Sequence, residues 1–172
     1  MTDNERLAEL LFPNISWTPQ QYEEQYPARQ LPEGARVTRF SPSPTGYLHI
    51  GGLFAAMTAR LTAKATNGVF FLRIEDTDKK REVEGGVTAI VTGLAAFGIT
   101  PDEGITGLGT ESGGYGPYQQ SKRREIYQCF AKELVRQGLA YPCFCTEAEL
   151  TALREQQEAQ AVNKGYYGEW AA

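Results

Sequence analysis

The chain contains a single histidine, His49, set in a run of residue types that suits phosphate chemistry. It follows the turn Ser43-Pro44-Thr45-Gly46 and precedes Ile50-Gly51-Gly52, where an apolar pattern of helical period begins. Pro42 and Pro44 stiffen the loop, and Gly46 permits a turn that other residues resist. Gly51 and Gly52 remove side chains where a ligand could approach the backbone. A helix starting here offers unpaired N–H groups and a partial positive charge, both of which favour phosphate. His49 can donate to a phosphate or pack against a nucleotide. The same residues also read as a structural turn ahead of an ordinary helix, and the two readings stay open at this level. The run contains neither Gly-Lys-Ser/Thr nor GxGxxG, so it is not a Walker A loop or a dinucleotide fingerprint. The glycines at 107, 109, 113, 114 and 116 fit neither template and read as a flexible loop.

The elements around this turn are those of a parallel α/β sheet. Val37-Thr38-Arg39-Phe40 predicts a short strand. Ile50, Leu53, Phe54, Met57 and Leu61 follow at helical spacing, and Asn67-Gly68 stops that helix. Val69–Ile74 is a near-continuous apolar run, which suits a strand covered on both faces. Val87, Ile90, Val91, Leu94 and Phe97 form a second helical stripe, ended by Gly98 and Pro101. This βαβα order places the turn at the carboxyl end of a parallel strand, where such folds bind ligands. Residues 101–120, with six glycines and two prolines, read as a long loop. Ser121 is expected to cap a third helix carrying Ile126, Tyr127, Phe130, Leu134 and Val135 inward. Leu139-Ala140-Tyr141 suggests a short strand. Thr146–Glu149 is a capping box opening a fourth helix, whose polar later half should lean on something outside this chain. Residues 1–35 differ from the rest. An amphipathic stretch with Leu7, Leu10 and Leu11 leads into a segment with Trp17, Tyr22 and Tyr26, read as a short helix and an arm docked through its aromatics.

At 172 residues with 41% hydrophobic content, the chain can bury a real core. A net charge of −4 does not advertise polyanion binding, although local basic patches would be compatible with it. No apolar run approaches a bilayer span, and the polar N-terminus lacks a basic leader, so a soluble cytoplasmic protein is expected. Three cysteines without a secretory signal argue against a disulfide framework, and Cys129 is expected in the core. With one histidine, a His-rich metal site is excluded.

Arg39-Phe40-Ser41-Pro42-Ser43-Pro44-Thr45-Gly46, followed by His49-Ile50-Gly51-Gly52, resembles the first signature of class I aminoacyl-tRNA synthetases, and more narrowly that of the glutamyl-tRNA synthetases. The similarity continues through Leu72–Asp78, Gly116–Ser121 and Ala140–Thr146, and covers roughly residues 36 to 170. It implies an α/β fold: the first half of a Rossmann-like nucleotide-binding domain over 36–138, preceded by the arm 1–35. An inserted tRNA acceptor-binding domain would begin over 139–172. It implies activation of L-glutamate with ATP and Mg²⁺ to glutamyl-adenylate, then transfer to the 3′ end of tRNA(Glu), by an enzyme that is monomeric when full length.

On this resemblance Arg39 holds the side-chain carboxylate of glutamate, which a guanidinium can do bidentately. Glu75 accepts from the amino group, and Ser41 and Ser43 hydrogen-bond the amino acid. The alternative for Arg39 and Glu75 is a structural pair between neighbouring strands. Thr45, Gly46, His49, Gly51 and Gly52 would face ATP, with Thr45 and His49 as catalytic candidates. Asp78 and Arg81 are candidates for tRNA contact, although Lys79-Lys80-Arg81 reads equally as a solvated charged face. The protein's contribution is positioning and charge stabilisation. Cys143-x-Cys145 has ligand spacing, but a structural zinc needs four ligands and Trp170 stands where a further cysteine is expected, so no zinc is expected. The family's later catalytic elements have no counterpart in these residues, so weak or absent adenylation is expected of this chain alone. Three rivals remain. A glutaminyl enzyme would carry a different first turn. An enzyme glutamylating a modified tRNA base would complete the cysteine site. The third is a non-catalytic tRNA- or nucleotide-binding half-domain.

Overall fold

The computed structural model describes residues 1–167. Its centre is a four-stranded sheet in the order β1-β2-β3-β4, with β1 Val37–Phe40, β2 Val69–Leu72, β3 Glu103–Gly107 and β4 Thr110–Ser112. The first three strands are parallel and β4 returns antiparallel to β3. Helix α3 (Ile50–Ala65) joins β1 to β2, and α4 (Gly86–Ala96) joins β2 to β3. The α/β class with a parallel sheet is therefore as expected.

The core forms where these helices meet the sheet. Phe70, Leu72 and Ile74 from the second strand and its extension pack with Ala56 and Ala63 of α3 and with Ile90 and Leu94 of α4. Thr38 Oγ1 donates to the Ala59 carbonyl at 2.8 Å, tying β1 to α3. Helix α3 stops as anticipated: Asn67 takes a φ of 52°, and the Gly68 N–H returns to the Ala63 carbonyl at 2.8 Å. A side chain at Gly68 would fall on the Arg36 carbonyl, which already accepts from the Val69 N–H.

Several expectations need correction. On α3 the buried residues are alanines, while Ile50, Phe54 and Leu61 are exposed at 80%, 72% and 53%. Small residues are what let this helix lie close to the strands. Phe97 of the α4 stripe and Leu10 of the N-terminal helix are also exposed, as are Tyr127 and Leu134 of the third stripe, while Phe130 is 40% exposed beside Tyr22. Residues 101–120 are not a plain loop. They supply β3 and β4, and Gly104 stands at a φ of 121° directly against the Leu72 carbonyl, where a Cβ has no room. Leu139–Tyr141 forms no strand.

The N-terminal helix α1 (Asp3–Leu11) and a second short helix α2 (Pro19–Gln25) are each started by a threonine capping box. Residues 1–35 lie against the rest of the chain. Trp17 and Tyr22 lie 4.9 Å apart between ring centroids, Tyr22 meets Phe130 at 6.3 Å, and Glu9 pairs with Lys132 of α5 (Arg124–Arg136). Arg29 grips Glu103 of β3 through both guanidinium NH₂ groups, its NH2 to Oε2 at 2.6 Å, and lies 3.7 Å over the Tyr115 ring. Helix α6 (Glu147–Ala159) opens with the Thr146–Glu149 capping box. Its polar half rests on the chain itself: Gln157 is buried and exchanges two 2.8 Å hydrogen bonds with the Gly165 backbone.

Candidate substrate and nucleotide site

The turn after β1 lies at the carboxyl end of the parallel strands. Pro44 is buried beneath it, and its carbonyl accepts from the Val83 N–H at 2.9 Å, so the loop after β2 braces the turn from below. Gly86 packs against Pro44 in the same place, where a Cβ would stand 3.0 Å from the carbonyl oxygen. Phe40, Pro42, Ser43, Thr45, Gly46, Tyr47, His49, Gly52 and Ile90 are among the residues lining a cleft of about 330 Å³.

His49 is the N-cap of α3. Its Nδ1 accepts from the Gly51 N–H at 3.2 Å, so in the neutral ring the proton sits on Nε2, which is left to donate outward. Gly51 allows this because a Cβ there would stand 3.0 Å from the imidazole. A Cβ at Gly52 would stand 2.9 Å from Leu48 Cδ1, which would have to move aside. The reason given for Gly46 does not hold. It has no left-handed φ and open space where a Cβ would be, so it lines the cleft without being sterically required there.

Arg39 and Phe71 are register partners in β1 and β2, so their side chains share the sheet face opposite α3. Among the described residues the Arg39 side chain makes no hydrogen bond or ion pair, and the residue is exposed. Glu75 lies beyond the end of β2, its N–H donating to the Pro42 carbonyl at 3.0 Å. The structural pair weighed for these two residues does not form. Glu75 instead accepts from Arg73 at 3.1 Å, with Arg73 Nε buried and lacking a partner among the described residues. The face thus carries one free guanidinium and one carboxylate already steadied by a cation. Ser41 and Ser43 flank Pro42 on the same loop and make no side-chain hydrogen bond among the described residues, so their hydroxyls stay available.

Asp78 and Arg81 are engaged with each other, through Arg81 Nε to Asp78 Oδ2 at 2.6 Å and a second contact at 2.5 Å. The Arg81 guanidinium holds the Asp78 carboxyl below its ordinary range. Cys143 and Cys145 converge on the Tyr166 hydroxyl at 3.3 and 3.7 Å, which lowers the Cys143 thiol and raises the phenol. Trp170, weighed above as the replaced ligand, lies outside the described residues. Cys129 is buried, as expected, and its thiol donates to the Trp17 carbonyl.

The largest departure from sequence reasoning is Ser121. It does not cap α5. It sits in a 3₁₀ turn, Gln120–Arg123, and turns back to Asp76. Asp76 itself was passed over, although Glu75-Asp76 and Gly116–Ser121 are both distinctive runs. A pair of hydroxyl and amide donors three to five residues after a Gly-Pro turn was the available signal.

The catalytic-domain model of the class I tRNA synthetases for glutamate and glutamine (E and Q) matches residues 36–170. A glutamate–tRNA ligase of Clostridium perfringens is 54% identical over 97% of this chain, which spans 31% of that relative. One from Sorangium cellulosum is 46% identical over 89% of the chain, spanning 29% of it. Among solved structures, glutamate–tRNA synthetase from Elizabethkingia anophelis superposes with a TM-score of 0.67 at 41% identity. That match covers 80% of this chain and 26% of that one. A glutamate tRNA ligase from Elizabethkingia meningosepticum, in complex with its amino acid, gives 0.66 at 41% identity, with the same coverage. The chain therefore spans under a third of the length of these relatives.

Proposed function

This chain belongs to the class I tRNA synthetases of the glutamate and glutamine group, and on that premise we propose that it forms the front wall of a glutamate-plus-ATP site. The reaction served is activation of L-glutamate with ATP to glutamyl-adenylate, followed by transfer of the acyl group to the 3′ end of tRNA(Glu). The observation that carries this reading is the unpaired Arg39 on the strand leading into the capped N-terminus of α3. Arg39 receives the side-chain carboxylate, and Glu75, steadied by Arg73, receives the ammonium. Ser41 and Ser43 complete hydrogen bonds to the amino acid. The reacting α-carboxylate is thereby turned toward the cleft beside Thr45, Gly46, His49, Gly51 and Gly52.

The fit to a triphosphate is chemical as well as positional. The N-terminal end of α3 has partial positive charge, and His49 Nε2–H can donate to a phosphate oxygen. When the Gly51 N–H exchanges its imidazole partner for phosphate, the ring is released to move with the ligand. Among the described residues no group of three or more His, Cys, Asp or Glu side chains could hold a metal ion. Mg²⁺ would then be held chiefly by the nucleotide's own phosphates, where it neutralises charge, as is usual for this ion.

Residues 1–35 are assigned as a docking arm, 36–138 as the first half of the nucleotide-binding domain and 139–172 as the start of the acceptor-binding insertion. Asp78 and Arg81 are assigned to tRNA, which must then open their mutual ion pair. Among the described residues no helix is long and apolar enough to cross a membrane. The full-length protein is assigned, by its family, as a cytoplasmic monomer. ATP–pyrophosphate exchange with glutamate tests the assignment. The 172-residue chain alone should exchange weakly or not at all, and rates like those of a complete enzyme would overturn that expectation. Binding should favour glutamate over glutamine in the wild type, and Arg39→Ala should abolish the preference.

A further inference from the structure

We infer that Asp76 is the positioning residue of the site: it locks the end of β2 to the turn before α5 and so fixes the Glu75 carboxylate where it meets the substrate ammonium. The inference rests on the assignment of Glu75 made above and extends it to a residue that touches no substrate.

The geometry is closed on every side. Asp76 is 1% exposed. Its Oδ1 accepts from the Ser121 N–H at 2.9 Å. Its Oδ2 accepts from the Ser121 hydroxyl at 2.6 Å, Gln119 Nε2 at 2.8 Å and Lys79 Nζ at 3.1 Å. Four donors and near-complete burial keep this carboxylate away from any ligand, so its partners belong to the chain itself. The backbone around it is pinned as well. The Ile74 N–H donates to the Tyr118 carbonyl at 2.9 Å, the Ile74 carbonyl accepts from the Gln120 N–H at 2.8 Å, and the Glu75 N–H donates to the Pro42 carbonyl at 3.0 Å. Glu75 therefore stands between two clamps, the phosphate-side turn on one flank and residues 118–121 on the other.

Burial alone would push the Asp76 carboxyl up, yet Ser121, Gln119 and Lys79 outweigh it and hold the group well below the usual carboxylate range. The anion persists at neutral pH, and neutralising it would take the charged acceptor from the Ser121, Gln119 and Lys79 donors. The effect reaches the substrate only through Glu75, so it should appear only in ligands that carry an ammonium group. That separates a positioning role from a purely structural one.

The experiment compares glutamate with glutarate, the same dicarboxylate without the amino group, in chemical-shift titrations of the 172-residue chain. Wild type should prefer glutamate, and Glu75→Gln should lose that preference. Asp76→Asn should weaken glutamate by roughly tenfold while glutarate stays within about twofold. If Asp76→Asn does not fold, Ser121→Ala removes one donor and should show the same signature at roughly threefold. Equal loss for both ligands, or no loss in a folded variant, would overturn the inference. A wild type without preference, or Glu75→Gln keeping it, would instead overturn the Glu75 assignment on which it rests.

Discussion

At the scale of single residues, His49 has two separable duties. It caps α3 through Nδ1 and presents Nε2 to the cleft. Asparagine is a good N-cap and alanine a poor one. His49→Ala should therefore lower stability by about 1 kcal/mol in urea melts, whereas His49→Asn should cost only a few tenths. Both should weaken ATP, because neither supplies the imidazole donor. Asp76 governs acid stability. Its folded pKa lies below its unfolded value, so its contribution is complete above the ordinary carboxylate pKa of about 3.9 and is lost as pH falls below it. The gap in melting temperature between wild type and Asp76→Asn should be full at pH 6–7, in a buffer series stepped by roughly one unit, and should close progressively below about pH 4.

At the scale of elements, the parts of the fold legible in the sequence were those whose apolar spacing is uninterrupted. These are β1, α3, β2 and α4, and each has its own stop signal. The hairpin β3–β4 was hidden because its sequence is shaped by a neighbour. Gly104 sits against the Leu72 carbonyl at a positive φ, so a glycine that reads as loop is the residue that makes the pairing possible. Gly104→Ala should cost about 2 kcal/mol or more and loosen β3 from β2, visible as faster amide exchange in both strands. Arg39, Glu75 and the turn at 43–52 were legible as candidates for the site. Their connections were not, because hydrogen-bond partners such as Arg73 for Glu75 and Asp76 for Ser121 depend on how loops converge. The aromatics of residues 1–35 stand out in the sequence, but the ionic tie from Arg29 to Glu103 does not. Arg29→Ala leaves Glu103 largely buried with only Tyr118 donating to it. The loss should be about 2 kcal/mol, between the values for exposed and fully buried pairs, with faster proteolysis within residues 1–35.

At the scale of the whole molecule, the two helices on one side of the sheet are buried very differently. Leu94 of α4 is 1% exposed, while Phe54 of α3 is 72% exposed. Leu94→Ala should cost about 3 kcal/mol, and Phe54→Lys should stay within about 0.5 kcal/mol of wild type in the same melts. The sequence placed both in apolar stripes and could not rank them, because on α3 the packing falls to Leu53, Ala56, Met57, Ala59 and Ala63 and not to Phe54. The long-range ties of the arm also bear on how the protein is made. Arg29 waits for Glu103, 74 residues further on, and Glu9 waits for Lys132, 123 residues further on. At about 5–20 residues per second on the ribosome, Trp17, Tyr22 and Tyr26 spend several seconds outside the exit tunnel before their seats exist. Residues 1–35 leave the ribosome before the surfaces they rest on, and through that interval they are open to chaperones and proteases that the finished fold turns away.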